Sequence, residues 1–501
     1  MMQKGFDTEL YLAQQTKRII ERVNRFEKLY LEFGGKLLYD YHASRVLPGY
    51  KATTKIDLLK KLGEIEIIYC VGAKDINKGR IRGDFGLTYD NQTLKDIADL
   101  KELGLEVSAV VITRYQGEHS ADKFKRRLEN HGIRAYFHTE IEGYPHDMDK
   151  VIKGYESQEY VHTRQKLIIV TGAGGGSGKM AFCMSQIYNE RRHGIKTGFS
   201  KFESFPIWNL PLDHPINVAY EAATADLLDV NMIDPFHKEA YGIDSVNYNR
   251  DIENFDILKS IMGRITGAKD AFGFKSPTDM GVNALKEGIT DEEVCKEAAR
   301  QEIIRRYFRY HREKVDGIQS QDTLDQMEKI MAKVNVKPED RLVVIAAREA
   351  QQEAKQSGKG YKDVYCGAAV QLEDGTIVKG KNSSLLHAES AAIINAVKHM
   401  AKIPDKIDLL SPEIIKTISH MKNHLLNKKS SSLNVDETLV ALAISSTTNP
   451  TAKEALMRLK ELRGCEMHVT HMPKHGDEAG LMRLSMNITT DAKLSTLSGF
   501  D

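Results

Sequence analysis

A chain of 501 residues, 41% hydrophobic and 28% charged, has room for about three globular domains and the composition of an ordinary folded protein. Its net charge of +1 excludes a general attraction to nucleic acid or to acidic membranes. Five cysteines without paired spacing exclude a disulfide framework and point to a reduced cytoplasm. The opening MMQKGFDTEL has no apolar signal-peptide core, and no apolar run approaches a membrane span of about 18 residues.

Residues 7–30 read as one highly charged helix. The run FGGKLLYDYHASRVLPGY (33–50) sets polar islands in an apolar frame. Within it Ser44 and Arg45 have two accounts, an anion site or a structural arginine on a turn. From residue 64 the chain alternates. Strands are expected at 65–71, 107–113, 133–138 and 167–170, and helices at 93–103 and 121–130. Strands alternating with helices of this length predict a doubly wound, mostly parallel sheet, whose ligands lie beyond the carboxyl ends of its strands. Residues 72–86, with Arg82 and Asp84 among Gly79, Gly83 and Gly86, form one segment at such an end, read either as a ligand loop or as a long surface turn.

The stretch KLIIVTGAGGGSGKMAFC (166–183) places a β-branched run, a glycine loop and a lysine before a helix. Glycines let backbone N–H groups face an anion, the helix start adds partial positive charge and the lysine a full one. Gly174, Gly175, Gly176, Ser177, Gly178 and Lys179 are the candidate phosphate-binding residues. The standard spacing G-x-x-x-x-G-K-[ST] is missed twice. Ala173 stands at its first position, and Met180 where a hydroxyl would hold magnesium, so Mg²⁺-dependent hydrolysis is not expected. The competing account is a turn that serves packing.

Residues 198–217, with Trp208 and three prolines, read as irregular and functional. Asp213, His214, Asp226, Asp229, Asp234 and His237 are metal-type residues, though a solvated helix face explains Asp226 and Asp229 better. Residues 247–317 read as mostly helical, with a capping box at Thr290-x-x-Glu293. RRYFRYHR (305–312) reads as an amphipathic helix with a basic face rather than a nucleic-acid site. The turn-rich SPTDMGVN (276–283) offers Ser276, Thr278, Asp279 and Asn283 as ligand residues that would close over the glycine loop.

A third unit starts near residue 337. A helix at 341–356 precedes strands at 364–371 and 376–381, joined by a Glu-Asp-Gly hairpin signal. Then come His387-Ala-Glu389, a helix to residue 400, a strand at 406–410 and a helix opening at Ser411-Pro412. A strand at 465–471 follows. This order resembles the cytidine deaminase fold. In those enzymes a histidine or cysteine of the first motif and two cysteines of Pro-Cys-x-x-Cys hold zinc while the glutamate moves protons. Here His387 and Glu389 match the first motif, but Glu413 and Lys416 stand where the cysteines belong. A protonated lysine cannot ligate zinc, so the resemblance implies a degenerate deaminase site with no zinc and no deaminase chemistry.

The whole chain resembles a bacterial family, domain of unknown function 1846. The resemblance rests on FGGKLLYDYHASRVLPGY, the RIRGDFGLTYD run from Arg80, the glycine loop, SPTDMGVN and LRGCEMHVTH. It implies a cytoplasmic bacterial protein of several domains and no established activity. The expected architecture is an α/β domain over residues 1–235, a mainly helical domain over 236–330 and a deaminase-like α/β domain over 331–501. The expected partners are a phosphorylated small molecule or nucleotide and a second copy of the chain, with no nucleic acid and no membrane. The alternative reading is a non-catalytic assembly protein.

Overall fold

The computed structural model describes residues 4–79, 81–82, 87–268, 271–428 and 430–495. Two compact units emerge. The larger holds the chain up to Glu221 together with Asp229–Ala299; the smaller holds Ala222–Leu228 and the chain from Arg300 onward.

The larger unit is built on seven strands: β1 (Lys28–Phe33), β2 (Ile65–Gly72), β3 (Val107–Tyr115), β4 (Ala135–Thr139), β5 (Leu167–Gly172), β6 (Thr197–Phe202) and β7 (Gly281–Val282). They lie in the order β7-β6-β1-β5-β2-β3-β4, and every neighbouring pair is parallel. Side chains alternate across a strand, so Tyr30, Ile68, Cys70, Ala109, Val111, Ile168 and Val170 share one face. They form one core with Phe182 and Ile187 of the helix Lys179–Arg192 and Phe255 and Ile261 of the helix Phe255–Thr266. On the opposite face Tyr69 donates its hydroxyl to Asp96 of the helix Tyr89–Glu102 at 2.6 Å. With both faces covered, the strands read as continuous apolar runs. That is why β2, β3 and β5 are visible in the sequence.

Several expectations need correction. The helix over 7–30 ends early: the structure has a helix at Thr8–Val23, capped by Asp7, and then β1. The segment 198–217 is not irregular throughout, because β6 occupies its start and a helix begins at Pro215. Crossovers from β2 lead through β3 to β4, and the chain after β5 moves to β6 and β7 on the other side. The topological switch therefore falls between β5 and β2. The expected cap at Thr290 lies one residue later, since Asp291 accepts from the Val294 amide at 3.1 Å.

In the smaller unit, β8 (Gly367–Gln371), β9 (Ile377–Lys381), β10 (Glu466–Val469) and β11 (Asn487–Thr490) form a sheet in the order β9-β8-β10-β11. Strand β8 is antiparallel to both its neighbours, and β10 and β11 run parallel. The helix Ala388–Met400 lies so close to β9 that a Cβ on Gly380 would sit 2.2 Å from the Ala392 amide nitrogen. Only glycine permits that approach. The strand expected at 406–410 is absent: the Ile407 amide turns back onto the Pro404 carbonyl at 3.0 Å, and Leu409 and Leu410 reach the core from a loop. RRYFRYHR lies on the helix Glu292–Val315, where Phe308 and Tyr310 are buried and Arg305 is held by Glu302 at 2.8 Å and by Glu466 at 3.0 Å. Among the described residues, no helix is long and apolar enough to cross a membrane.

Candidate functional site

The expected order of strand, glycine loop and helix is present at the end of β5. Strand β5 stops at Gly172, and the helix Lys179–Arg192 starts after Gly178. Gly176 and Gly178 take φ of +72° and +79°, a region that favours glycine. A Cβ on Gly178 would also lie 2.7 Å from Thr113 Oγ1. The loop is pinned to both strands across the switch point: Thr113 Oγ1 donates to the Ser177 carbonyl at 2.8 Å, and the Ala173 amide donates to the Cys70 carbonyl at 3.2 Å. Ser177 is buried, and its hydroxyl accepts from Lys179 Nζ at 3.5 Å. Gly175 and Gly176 form the exposed rim. Among the described residues, no carboxylate forms an ion pair with Lys179.

The neighbouring strand ends carry charge of both signs. At the end of β3, Arg114 reaches over Gly72 to Asp75 at 3.2 Å, and its Nε is buried without a hydrogen bond. Glu32 of β1 has one carboxylate oxygen buried without a hydrogen bond. Burial pushes the Cys70 and Cys183 thiols well above their ordinary range. The Lys179 and Glu32 charges act on both in opposite senses. Such thiols are inert. At the end of β6, Lys201 pairs with Asp251 and, at 3.2 Å, with Glu203, which accepts from Tyr248 at 2.5 Å. Burial works against the Lys201 charge, but the two carboxylates outweigh it and hold the ammonium above its usual range.

Among the described residues, Ser44, Ser276, Thr278, Asp279 and Asn283 have hydrogen-bond partners away from this loop. Ser44 Oγ donates to the Tyr41 carbonyl of its own helix, Tyr41–Val46, where Arg45 is half-buried. Arg82 has its backbone in a two-stranded ribbon; its side chain and all of Asp84 lie outside the described residues. Ser276 and Asp279 cap the short helix Pro277–Met280 reciprocally, and Ser276 also meets His237 Nδ1 at 2.9 Å. Thr278 donates to Asp234 at 2.7 Å, and Asn283 donates to the Ser204 carbonyl at 3.0 Å. These residues surround the edge strand β7, three strand positions from β5, roughly 14 Å at the usual strand spacing. Thr278, Asp279 and Asn283 line a cavity of about 260 Å³ with Arg18, Arg22 and Trp208. The metal-type residues have separate partners. His214 faces Glu292 at 3.2 Å, Asp229 pairs with Arg250 at 2.6 Å, Asp234 caps the His237 amide at 3.1 Å and Asp226 accepts from Tyr310 at 3.3 Å.

In the smaller unit His387 stands at the N-cap of the helix Ala388–Met400, with Glu389 in its first turn. The deaminase-like pairing of these two with Glu413 and Lys416 is not what the structure builds. Both latter residues are exposed on the helix Pro412–His420, 3.4 Å from each other. The partners are instead Asp477, 2.7 Å from His387 Nδ1, and His471, whose Nε2 lies 3.2 Å from Glu389 Oε1. Sequence reasoning missed both. The available signal was a histidine just past β10 and an aspartate in the first turn of the next helix, His475–Arg483.

The fold and these strand ends define an α/β protein in two units, the larger built on a seven-stranded parallel sheet with a loop-lined carboxyl edge. The chain belongs to the family described as domain of unknown function DUF1846: residues 4–335 match its N-terminal part and residues 339–500 its C-terminal part. It is 49% identical over 495 residues to a UPF0371 protein of Clostridium tetani (strain Massachusetts / E88), covering 98% of each chain. It is 48% identical over 493 residues, again 98% of each, to one from Clostridium botulinum (strain Alaska E43 / Type E3).

Proposed function

We propose that the larger unit binds a phosphorylated small molecule or nucleotide at the glycine loop, in a bacterial cytoplasm. The observation that carries this reading is the position of the loop. It follows β5 at the topological switch, where parallel sheets leave a crevice, and it presents glycine backbone and the Lys179 ammonium. Arg114, paired with Asp75, stands at the end of β3 beside Thr113, which holds the loop. The five cysteines are all buried and unpaired, which fits a reducing compartment. Met180 offers no magnesium ligand, so the reading is binding without Mg²⁺-dependent hydrolysis. Calorimetry against nucleotides and sugar phosphates tests it. The wild type should bind at least one such compound, and Lys179→Ala should weaken that binding about tenfold or more, since a charged hydrogen bond contributes ~1.5–3 kcal/mol. A wild type that binds none of them refutes the reading.

A second reading, self-association through the smaller unit, has its own support. Ile393, Ile394 and Val397 turn the helix Ala388–Met400 inward, whereas Pro412–His420 has no fully buried residue. Val440 and Ile444, one turn apart on the helix Val435–Ser445, are 55% and 48% exposed. The hairpin and His387-Ala-Glu389 support a deaminase-like plan kept as a scaffold. A stable interface covers more than about 1,000 Å². Light scattering should therefore return a multiple of 56.4 kDa; a monomer at micromolar concentration ends this second reading.

A further inference from the structure

The smaller unit holds a group of side chains that the phosphate reading leaves unused. Ligand-type atoms of His387, Glu389 and Asp477 all lie within 4.8 Å of one another. Donors held about 2.0–2.2 Å from one ion lie within about 4.4 Å of each other, so the group is close to the size of a coordination shell. It draws on the start of the helix Ala388–Met400 and the start of the helix His475–Arg483.

Glu389 is the informative residue. Its relative exposure is 0%, and neither carboxylate oxygen has a hydrogen bond. A buried carboxylate left in that state is costly. Its one close charged neighbour among the described residues is His471, whose Nε2 stands 3.2 Å from Oε1 and leaves Oε2 without a partner. Asp477 is oriented by the Val435 amide, which donates to Oδ1 at 2.9 Å and leaves Oδ2 towards His387. Such outer contacts aim ligands at a metal. His387 keeps partial exposure, so an ion has a path in from solvent.

We infer that His387, Glu389 and Asp477 bind one divalent first-row transition-metal ion, with Zn²⁺ the best match to the donors. The His387 imidazole selects against Mg²⁺ and Ca²⁺, which prefer all-oxygen shells. The carboxylates of Glu389 and Asp477 balance a charge of +2. This donor set replaces the deaminase cysteine pattern, whose positions here, Glu413 and Lys416, face solvent. The competing account is a pair of imidazolium–carboxylate contacts with no ion.

The test is titration of chelator-stripped, full-length protein with Zn²⁺ in competition with a chromophoric chelator. One ion per chain should bind, and the melting temperature should rise. Glu389→Gln, close in shape to the carboxylate, should weaken binding more than about tenfold. The exposed rings of His420 and His424, 4.7 Å apart, are the obvious surface chelator, so His420→Ala with His424→Ala should leave binding intact. The inference falls if the wild type binds no Zn²⁺ stoichiometrically, if Glu389→Gln binds as well, or if the His420/His424 double variant loses the ion. Should Glu389→Gln fail to fold, Co²⁺ in the wild type decides. Intense visible bands of a low-coordinate N/O site support the inference; the weak spectrum of the hydrated ion overturns it.

Discussion

Gly178 meets two constraints at once. Its left-handed backbone excludes most side chains, and Thr113 leaves no space for a Cβ. The residue after it, Lys179, starts the helix with an ammonium that no carboxylate neutralises among the described residues. A purely structural turn needs the first feature and gains nothing from the second. His138 on β4 shows how burial acts on a single group. Its Nε2 donates to the Glu159 carbonyl at 2.9 Å, and burial pulls the imidazole down from 6.5 to about 4. The folded chain therefore holds it neutral where the unfolded chain binds a proton. Stability should fall as pH drops from about 6.5 to about 4 and level off below, by roughly 2–4 kcal/mol from this residue. Denaturant unfolding at pH 7 and pH 4.5 checks it. His138→Phe should flatten the dependence, and an unchanged slope would show that His138 is not its source.

The least legible element is β1, which lies near the middle of the sheet. Its sequence, KLYLEF, begins with a lysine and carries a glutamate, and directly after a charged helix it reads as more helix. The structure resolves this by burying the charge with a partner. Lys28 Nζ lies 2.6 Å from Glu190 Oε1, the Tyr30 hydroxyl donates to the same oxygen at 3.1 Å, and Glu190 is fully buried. Breaking a buried pair strands the other charge, so Glu190→Gln should cost about 3–5 kcal/mol. Lys28→Met combined with Glu190→Gln should recover most of that loss. A single variant that unfolds at the wild-type denaturant concentration would contradict this role. Strands β2, β3 and β5 were readable because continuous apolar runs report burial on both faces. Strand β7 was not, since two residues carry no period, and β6 was hidden by the proline-rich segment that follows it. For the site, the glycine loop is a local pattern and therefore visible. Asp477 lies 90 residues from His387, a separation at which no spacing rule applies; only the folded chain brings them together.

At the scale of the whole molecule, the glycine loop stands where the winding of the parallel sheet reverses. The relatives in Clostridium tetani and Clostridium botulinum match nearly the full length of the chain, so they share both units. The most direct measurement is an anomalous difference map from crystals of the full chain soaked in tungstate, a heavy analogue of phosphate. A tungsten peak should appear about 4 Å from the backbone amides of the Gly174–Gly178 loop and from Lys179 Nζ, with tungstate oxygens about 2.7–3.2 Å from those donors, and should be lost in Lys179→Ala crystals. Tungstate bound only elsewhere, or a loop peak that survives the substitution, would contradict the claim.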